Sequence, residues 1–202
     1  MAAYQNYSYD VLVIGAGGAG MRAAIEAANS GVTVGLICKS LLGKAHTVMA
    51  EGGMAAAMAN NDDRDSWKVH FADTMRGGQY VNNWRMAELH AREAPDRVRE
   101  LEAWGALFDR TKDGRILQRN FGGHRYPRLA HVGDRTGLEL IRTMQQRIVG
   151  MQQKDKAKYG DAEIRYSLQD AKRARQKWNT LISSLLQNNR KDNQTKSKQG
   201  KK

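Results

Sequence analysis

The sequence predicts an α/β fold that begins with a strand–helix–strand unit, and three observations support this. A short apolar run over residues 9–14 ends at a glycine, which is typical of a buried parallel strand. After a glycine-rich turn, an alanine-rich segment over 21–28 has strong helix propensity, and Gly31 follows it as a helix stop. A second apolar run over 32–37 then completes a right-handed βαβ unit.

The turn between the first strand and the helix has the spacing of a dinucleotide-binding loop. Gly15, Gly17 and Gly20 fit the pattern G-x-G-x-x-G. There the first glycine permits a tight turn, the second lets the backbone approach a pyrophosphate, and the third lets the helix pack closely on the strand. A tight turn without a ligand is the alternative. The residues predicted to hold the dinucleotide are Gly15, Ala16, Gly17, Gly18, Ala19 and Gly20.

The end of the second predicted strand lacks the acidic residue that usually holds the ribose in an NAD site. Cys38, Lys39 and Ser40 stand there instead. This difference argues against NAD and leaves a flavin dinucleotide that is held by other contacts. Cys38 is also the only cysteine of the chain, so an internal disulfide framework is excluded.

A loop of small and polar residues follows and contains one histidine, His46. Gly52 and Gly53 permit the close approach of a planar ligand, and we expect the alanine-rich residues after them to begin a helix. From composition alone, His46 is either an ordinary loop histidine or a site residue.

The sequence of the middle of the chain predicts helices that are separated by charged turns. Ser66 or Asp65 is expected to cap a helix over 67–75. A second helix over 84–93 is expected to restart at Pro95, because proline suits the first turn of a helix. The apolar residues whose spacing predicts a long, core-packed helix over 134–153 are Leu138, Ile141, Met144, Ile148 and Met151.

A basic loop precedes that long helix. It has two interpretations, attraction of an anion or a plain surface loop, and we expect the surface loop. Its residues are His124, Arg125, Arg128 and His131.

Taken together and in order, these motifs resemble the flavoprotein subunit of succinate dehydrogenase and fumarate reductase. The resemblance covers residues 7–165 and implies the N-terminal portion of a Rossmann-like FAD-binding domain. The stretches that carry it, besides the glycine turn and Lys39, are 45–48, 51–53, 73–78, 113–123 and 134–137.

The resemblance also implies roles for single residues. In the family, the histidine of the His-Thr-Val segment is bonded covalently to the flavin, and that position is His46 here. Such a bond holds the ring and makes it a stronger oxidant. Many relatives have Gln at the position of Glu51. Phe121 and Gly122 would face a dicarboxylate substrate, although Phe121 also suits simple packing. The implied FAD contacts beyond the glycine turn are Cys38, Lys39, Ser40, Ala45, His46, Thr47, Glu51, Gly52 and Gly53.

The function that the resemblance implies is oxidation of succinate to fumarate through covalent FAD. Electrons would pass to an iron–sulfur subunit, membrane anchor subunits and quinone, and the chain would lie peripherally at the cytoplasmic face of the membrane. L-aspartate oxidase, which holds FAD noncovalently, and a soluble fumarate reductase are the enzyme alternatives, and His46 argues against the first. No position matches the family's catalytic residues, and no metal-ligand spacing is present, so we expect neither within this chain.

Charge divides the chain into two parts. Residues 1–150 carry 19 basic and 16 acidic side chains, whereas 151–202 carry 14 and 5. The net charge of +12 therefore belongs mostly to the end of the chain, and we expect no nucleic-acid partner. We predict a partial FAD-binding domain over 1–165 and a basic, partly helical and otherwise disordered tail over 166–202. The tail either binds an anionic partner, which would make the chain a non-catalytic fragment, or is a non-native end of the coding sequence, and we expect the second.

Overall fold

A computed structural model describes residues 6–120 and 122–159 of the chain. Its elements in order are β1 (Val11–Ile14), α1 (Gly18–Asn29), β2 (Val34–Ile37), a 3-10 turn (His46–Met49), β3 (Met54–Ala55), α2 (Trp67–Gly77), α3 (Trp84–Ala103), β4 (Gln118–Arg119), β5 (Leu129–Ala130) and α4 (Thr136–Tyr159). We call the 3-10 turn the His46 turn. The predicted tail and the boundary at residue 165 lie outside the described residues.

The predicted βαβ unit is present at the start of the chain. β1 and β2 pair in parallel, with Ile14 opposite Ile37, and α1 connects them. Met21 and Ile25 of α1 are buried in the core. The strands are shorter than the apolar runs that predict them, because the pairing begins only at Val11 and Val34.

A second, antiparallel sheet has the strand order β3–β5–β4. Its first strand corrects the prediction of an alanine-rich helix after the glycine pair. Met54 pairs with Ala130, and the N–H of Ala56 donates to the carbonyl of Arg128 at 2.9 Å. Pairing with β5 thus overrides the helix propensity of the alanines, which is a weak preference.

α2 and α3 begin where the sequence predicts, but α3 does not break at its proline. The Ser66 hydroxyl accepts from the N–H of Val69 and caps α2. α3 runs without interruption through Pro95, which corrects the predicted restart. Ala91, Ala94 and Val98 are buried along one side of α3, and this packing holds the helix together where proline removes a hydrogen bond.

The hydrophobic core lies among α1, α3 and α4, together with the strands of the second sheet. On α4, Ile141 and Met144 are buried as predicted, and Ile148 and Met151 pack against them. Leu138 is 48% exposed, which corrects its assignment to the core. Over the described residues, none of the helices combines the length and the apolar character that crossing a membrane requires.

The basic loop before α4 is not a plain surface loop, contrary to expectation. Arg128 has no exposed surface, and its Nη2 lies 2.9 Å from both Asp65 Oδ1 and Asp73 Oδ2. His131 is also buried, whereas Arg125 is exposed. The ion pairs with two carboxylates explain why a guanidinium can be buried here.

Candidate functional site

The expected dinucleotide site lies at the edge where β1 and β2 end. The N–H of Gly15 donates to the carbonyl of Ile37 at 2.7 Å, which joins the ends of the two strands. Gly15 has a φ of +112°, a conformation that favours glycine. The glycine turn and the segment after β2 therefore leave the sheet side by side, where open α/β sheets bind their ligands.

The glycines of the turn serve different physical requirements. A Cβ on Gly20 would overlap the carbonyl oxygen of Gly15, so only glycine allows α1 to pack this closely on the end of β1. A Cβ on Gly17 would make only ordinary contacts, 3.5 Å to the Ala45 Cβ and 3.6 Å to the Thr47 Oγ1. Packing within the chain therefore explains Gly20 but not Gly17, whose small size suits the approach of a ligand.

The N-terminus of α1 is tied to the His46 turn by one hydrogen bond. Gly17 is extended and provides no side-chain cap for α1. The N–H of Gly18 donates to the Thr47 Oγ1 at 3.1 Å. The first N–H groups of a helix have no partner within the helix, and they form a favourable environment for a phosphate. The structure thus brings the glycine turn and Ala45–Thr47 into direct contact, and this arrangement fits a dinucleotide.

The His46 turn rests on the first residues of α4. The N–H of Gly137 donates to the carbonyl of Ala50 at 2.7 Å, and a Cβ on Gly137 would overlap the carbonyl oxygen of Thr47. His46 itself is exposed. α4 therefore supports the backbone of the turn while the imidazole remains accessible to a ligand.

The Glu51–Gly53 segment is fixed by a residue that the sequence did not single out. Arg119 donates from Nε to the carbonyl of Gly52 at 2.9 Å and from Nη2 to the carbonyl of Glu51 at 2.6 Å. Gly53 has a φ of +119°, and a Cβ there would come within 2.7 Å of the carbonyl oxygen of Ala130. Arg119 lies two residues before Phe121, in a stretch that the sequence marks only by a motif match. The residues that its side chain contacts are distant in the sequence, so a local pattern does not reveal them.

The segment after β2 is folded on itself. The Cys38 Sγ lies 2.7 Å from the carbonyl of Ser40, and the Ser40 hydroxyl donates to the carbonyl of Lys44 at 3.1 Å. Lys39 is exposed. A further support comes from α4, where the Gln145 amide donates to the carbonyl of Leu42 at 2.7 Å.

The loop expected to face a substrate is described only in part, because Phe121 lies outside the described residues. Gly122 and Gly123 are exposed and have φ values of +68° and +77°. The loop is anchored by Asp73 of α2, whose Oδ2 accepts from the backbone N–H of Arg125 at 2.9 Å. The structure therefore gives this loop a fixed base, and a Cβ on Gly122 would meet no described atom within 4 Å beyond its chain neighbours.

The groups around Arg128 have shifted acid–base properties. Burial raises the pKa of Asp65, against the attraction of Arg128. Burial also acts on Asp73, but a hydrogen bond from the Arg125 N–H and the charge of Arg128 bring the pKa of Asp73 below its usual value. Burial, followed by the charge of Arg128, lowers the pKa of His70 to about 3. His70 is therefore neutral at neutral pH.

Comparison with known proteins agrees with this geometry. Residues 10–160 match the family model described as the FAD binding domain. The chain is 49% identical over 144 residues to a fumarate reductase (CoM/CoB) subunit of Methanothermobacter marburgensis, covering 71% of this chain and 26% of that protein. It is 40% identical over 147 residues to the mitochondrial succinate dehydrogenase flavoprotein subunit of Oryza sativa, covering 69% of this chain and 23% of that protein.

A solved structure shows the same relationship. The chain superimposes on the Mycobacterium smegmatis Sdh1 complex with UQ1 with a TM-score of 0.75 and 73% sequence identity, covering 79% of this chain and 26% of that one. The chain thus spans about a quarter of the length of the relatives it matches. The Rossmann-like fold, FAD as the cofactor and the resemblance to succinate dehydrogenase and fumarate reductase flavoprotein subunits are confirmed, and the chain belongs to the FAD binding domain family.

Proposed function

We propose that this chain forms the FAD-holding part of a flavoprotein subunit of the succinate dehydrogenase type, in which His46 bonds covalently to the flavin. The observation that carries the proposal is the hydrogen bond from the Gly18 N–H to the Thr47 hydroxyl. It joins the loop suited to a pyrophosphate to the turn that presents an accessible imidazole. One dinucleotide can therefore contact both segments, with its phosphates at α1 and its ring system at His46.

The remaining FAD contacts follow from the same placement. Gly15–Gly20 would hold the pyrophosphate, Cys38–Ser40 would lie on the nucleotide side at the end of β2, and Ala45–Thr47 with Glu51–Gly53 would hold the ring. When bound, FAD supplies the capacity to accept two electrons and a proton. The chain would hold and orient this group, and we assign no catalytic residue or metal ligand to it.

The proposed covalent bond requires an electron acceptor. A ring nitrogen of His46 would lose its proton and bond to a methyl carbon of the flavin, and that carbon would lose a proton. The two electrons of the broken C–H bond would enter the flavin ring system, from which dioxygen or a quinone would remove them. His46 suits this role because its imidazole is exposed while Gly137 and Ala50 hold the backbone beneath it.

For the whole protein we propose oxidation of succinate to fumarate, with Phe121 and Gly122 on the dicarboxylate side. The same chemistry in reverse would be fumarate reduction. Electron transfer to an iron–sulfur subunit, membrane anchor subunits and quinone, with the chain peripheral at the cytoplasmic face of the membrane, is part of this proposal. Relatives named as flavoprotein subunits, and the Sdh1 complex with UQ1, support it. The division into 1–165 and 166–202 is proposed as well.

The test uses flavin fluorescence in denaturing gels. Residues 10–159 of this chain would replace the matching segment of the Mycobacterium smegmatis flavoprotein, and the polypeptide 1–202 would be incubated with FAD in parallel. We expect a fluorescent band for the chimera and loss of that band with His46→Ser. His90→Ser is the matched control, because His90 is also exposed but lies on α3. Fluorescence that persists in His46→Ser, or a dark band from a yellow, folded chimera, would contradict covalent attachment at His46.

A further inference from the structure

Arg119 connects three segments that are far apart in the sequence. Its guanidinium donates to the carbonyls of Glu51 and Gly52 at 2.6 and 2.9 Å. Its Nη1 also donates to Asp134 Oδ1 at 2.9 Å, just before α4. One side chain on β4 thus holds the segment proposed to contact the flavin ring and the approach to the helix that supports the His46 turn.

Arg119 holds the segment mainly through its hydrogen bonds to the carbonyls of Glu51 and Gly52, and its ion pair with Asp134 adds little. Asp134 has a side chain that is 81% exposed, and an ion pair to such a group contributes little to stability. The Arg119 side chain is 31% exposed, and its other donors are directed to adjacent peptide carbonyls. A planar guanidinium can serve two carbonyls at once in a fixed geometry, whereas a lysine ammonium is a point charge on a flexible stem.

The opposite side of the same segment is also fixed. Gly53 lies so close to β5 that a Cβ would come within 2.7 Å of the carbonyl oxygen of Ala130. The Thr136 hydroxyl lies 3.4 Å from the carbonyl of Glu51 and adds a contact from α4. The segment is thus held on two sides, by Arg119 at its carbonyls and by β5 at Gly53, while Glu51 is exposed.

We propose that Arg119 is a positioning residue that holds the flavin-side segment Glu51–Gly53 in place for covalent attachment of the flavin. This proposal rests on the proposed function, in which Glu51–Gly53 contacts the ring of FAD. Because Arg119 ends β4 and pairs with Leu129 of β5, one guanidinium on the second sheet holds the backbone proposed to lie beside the ring. Arg119 touches neither substrate nor reacting atoms in this proposal.

Hydrogen exchange of the full chain tests this positioning role without FAD. We expect Arg119→Gln to speed exchange in peptides covering 45–53 by about tenfold, because two charge-assisted hydrogen bonds are lost. Arg119→Lys should give a smaller increase. Asp134→Asn, which removes only the ion pair, should leave these peptides unchanged, and peptides from α3 should be unchanged in all three variants. Unchanged exchange over 45–53 in Arg119→Gln, or an equal increase throughout the chain, would overturn the proposal.

The same variants with added FAD separate this proposal from the proposed function. If the wild-type chain takes up no FAD but Arg119→Gln still loosens 45–53 selectively, the positioning role stands and FAD binding by the isolated chain fails. If the wild-type chain holds FAD, we expect Arg119→Gln to lower the fraction of covalent flavin more than Asp134→Asn does. Equal covalent fractions with equal exchange rates would count against Arg119 and leave the proposed function intact.

Discussion

β1 and β2 leave one side open to solvent, whereas β4 and β5 are enclosed. Leu12, Ile14 and Ile37 are 53%, 62% and 44% exposed. In the second sheet, by contrast, Gln118 and Ala130 are 2% and 0% exposed. Parallel sheets are normally covered on both faces. The described residues therefore bury the second sheet, but they cover mainly one face of the β1–β2 sheet.

The contrast between the two sheets shows that a segment with a recognisable sequence motif is not always the segment that is fully packed in the structure. The glycine turn and its two strands are identified from about 30 neighbouring residues, yet the described residues cover their outer side only in part, with Tyr9 against Gly35. The region around Arg128 has no local signature, because Arg128 pairs with Asp65 and Asp73, which are both more than 50 residues away in the sequence. Stability in the two regions should therefore respond differently to substitution.

The largest effect is expected from the enclosed region. Arg128→Met should lower the free energy of unfolding of the chain by about 3–5 kcal/mol, because two buried carboxylates lose their shared counter-charge. Urea unfolding followed by circular dichroism measures this. Arg99→Met is the control, since Arg99 is exposed and its ion pair within the described part of the chain is with exposed Asp96, and it should change the free energy by less than about 0.5 kcal/mol. Equal effects of the two substitutions would show that Arg128 is not enclosed in solution.

A pH effect of intermediate size is expected from His70. Its pKa is lowered to about 3 in the folded chain, against an ordinary value of 6.5, so the folded state resists protonation that the unfolded state accepts. The associated stability is present above pH 6.5 and is lost as the pH falls toward 3. By pH 5 the loss should reach about 2 kcal/mol. Arg128, Asp73, His90 and His124 surround this group, so the comparison must isolate His70.

His70→Gln provides that comparison, because glutamine is polar but does not titrate. Unfolding midpoints measured from pH 8 to pH 5 should fall more steeply for the wild-type chain than for His70→Gln. Parallel pH profiles for the two proteins would show that His70 is not buried in its neutral form.

The smallest effect is expected on the open side of the first sheet. Ile14→Thr should change the free energy of unfolding by less than about 0.5 kcal/mol, because Ile14 is 62% exposed and threonine suits a strand. Ile25→Ala on the covered side should cost about 2–5 kcal/mol, because Ile25 is 1% exposed. Thermal and urea unfolding compare the two. A loss above about 1 kcal/mol for Ile14→Thr would mean that another part of the chain covers this side.

The sequence predicted features that depend on neighbouring residues. The βαβ unit, the Ser66 cap and the long final helix follow from local periodicity and capping chemistry. Met54–Ala55 was wrongly predicted as helix, because the decisive contacts come from β5, about 75 residues later. The burial of Arg128 and the contacts of Arg119 could not be predicted for the same reason, since a basic residue in a polar loop is usually exposed.

Within the candidate site, the sequence predicted the segments but not their supports. The glycine turn and Ala45–Thr47 were predicted, and the structure brings them together. Gly137 and Gln145, which support those segments, belong to a helix that was predicted from its apolar spacing and from the motif match over 134–137. A glycine within the first turn of that helix was the one available indication of a close approach.

The contact between Gly137 and the Thr47 carbonyl also fixes the axial register of α4. Only the residue without a Cβ can face this carbonyl, and its neighbours are Thr136 and Leu138. If α4 slid or rotated by one residue, a side chain would meet the backbone of the His46 turn. The contact therefore allows only one axial position of α4 relative to the His46 turn. We expect a single-residue deletion near the start of α4 to displace the His46 imidazole, although His46 itself is unchanged.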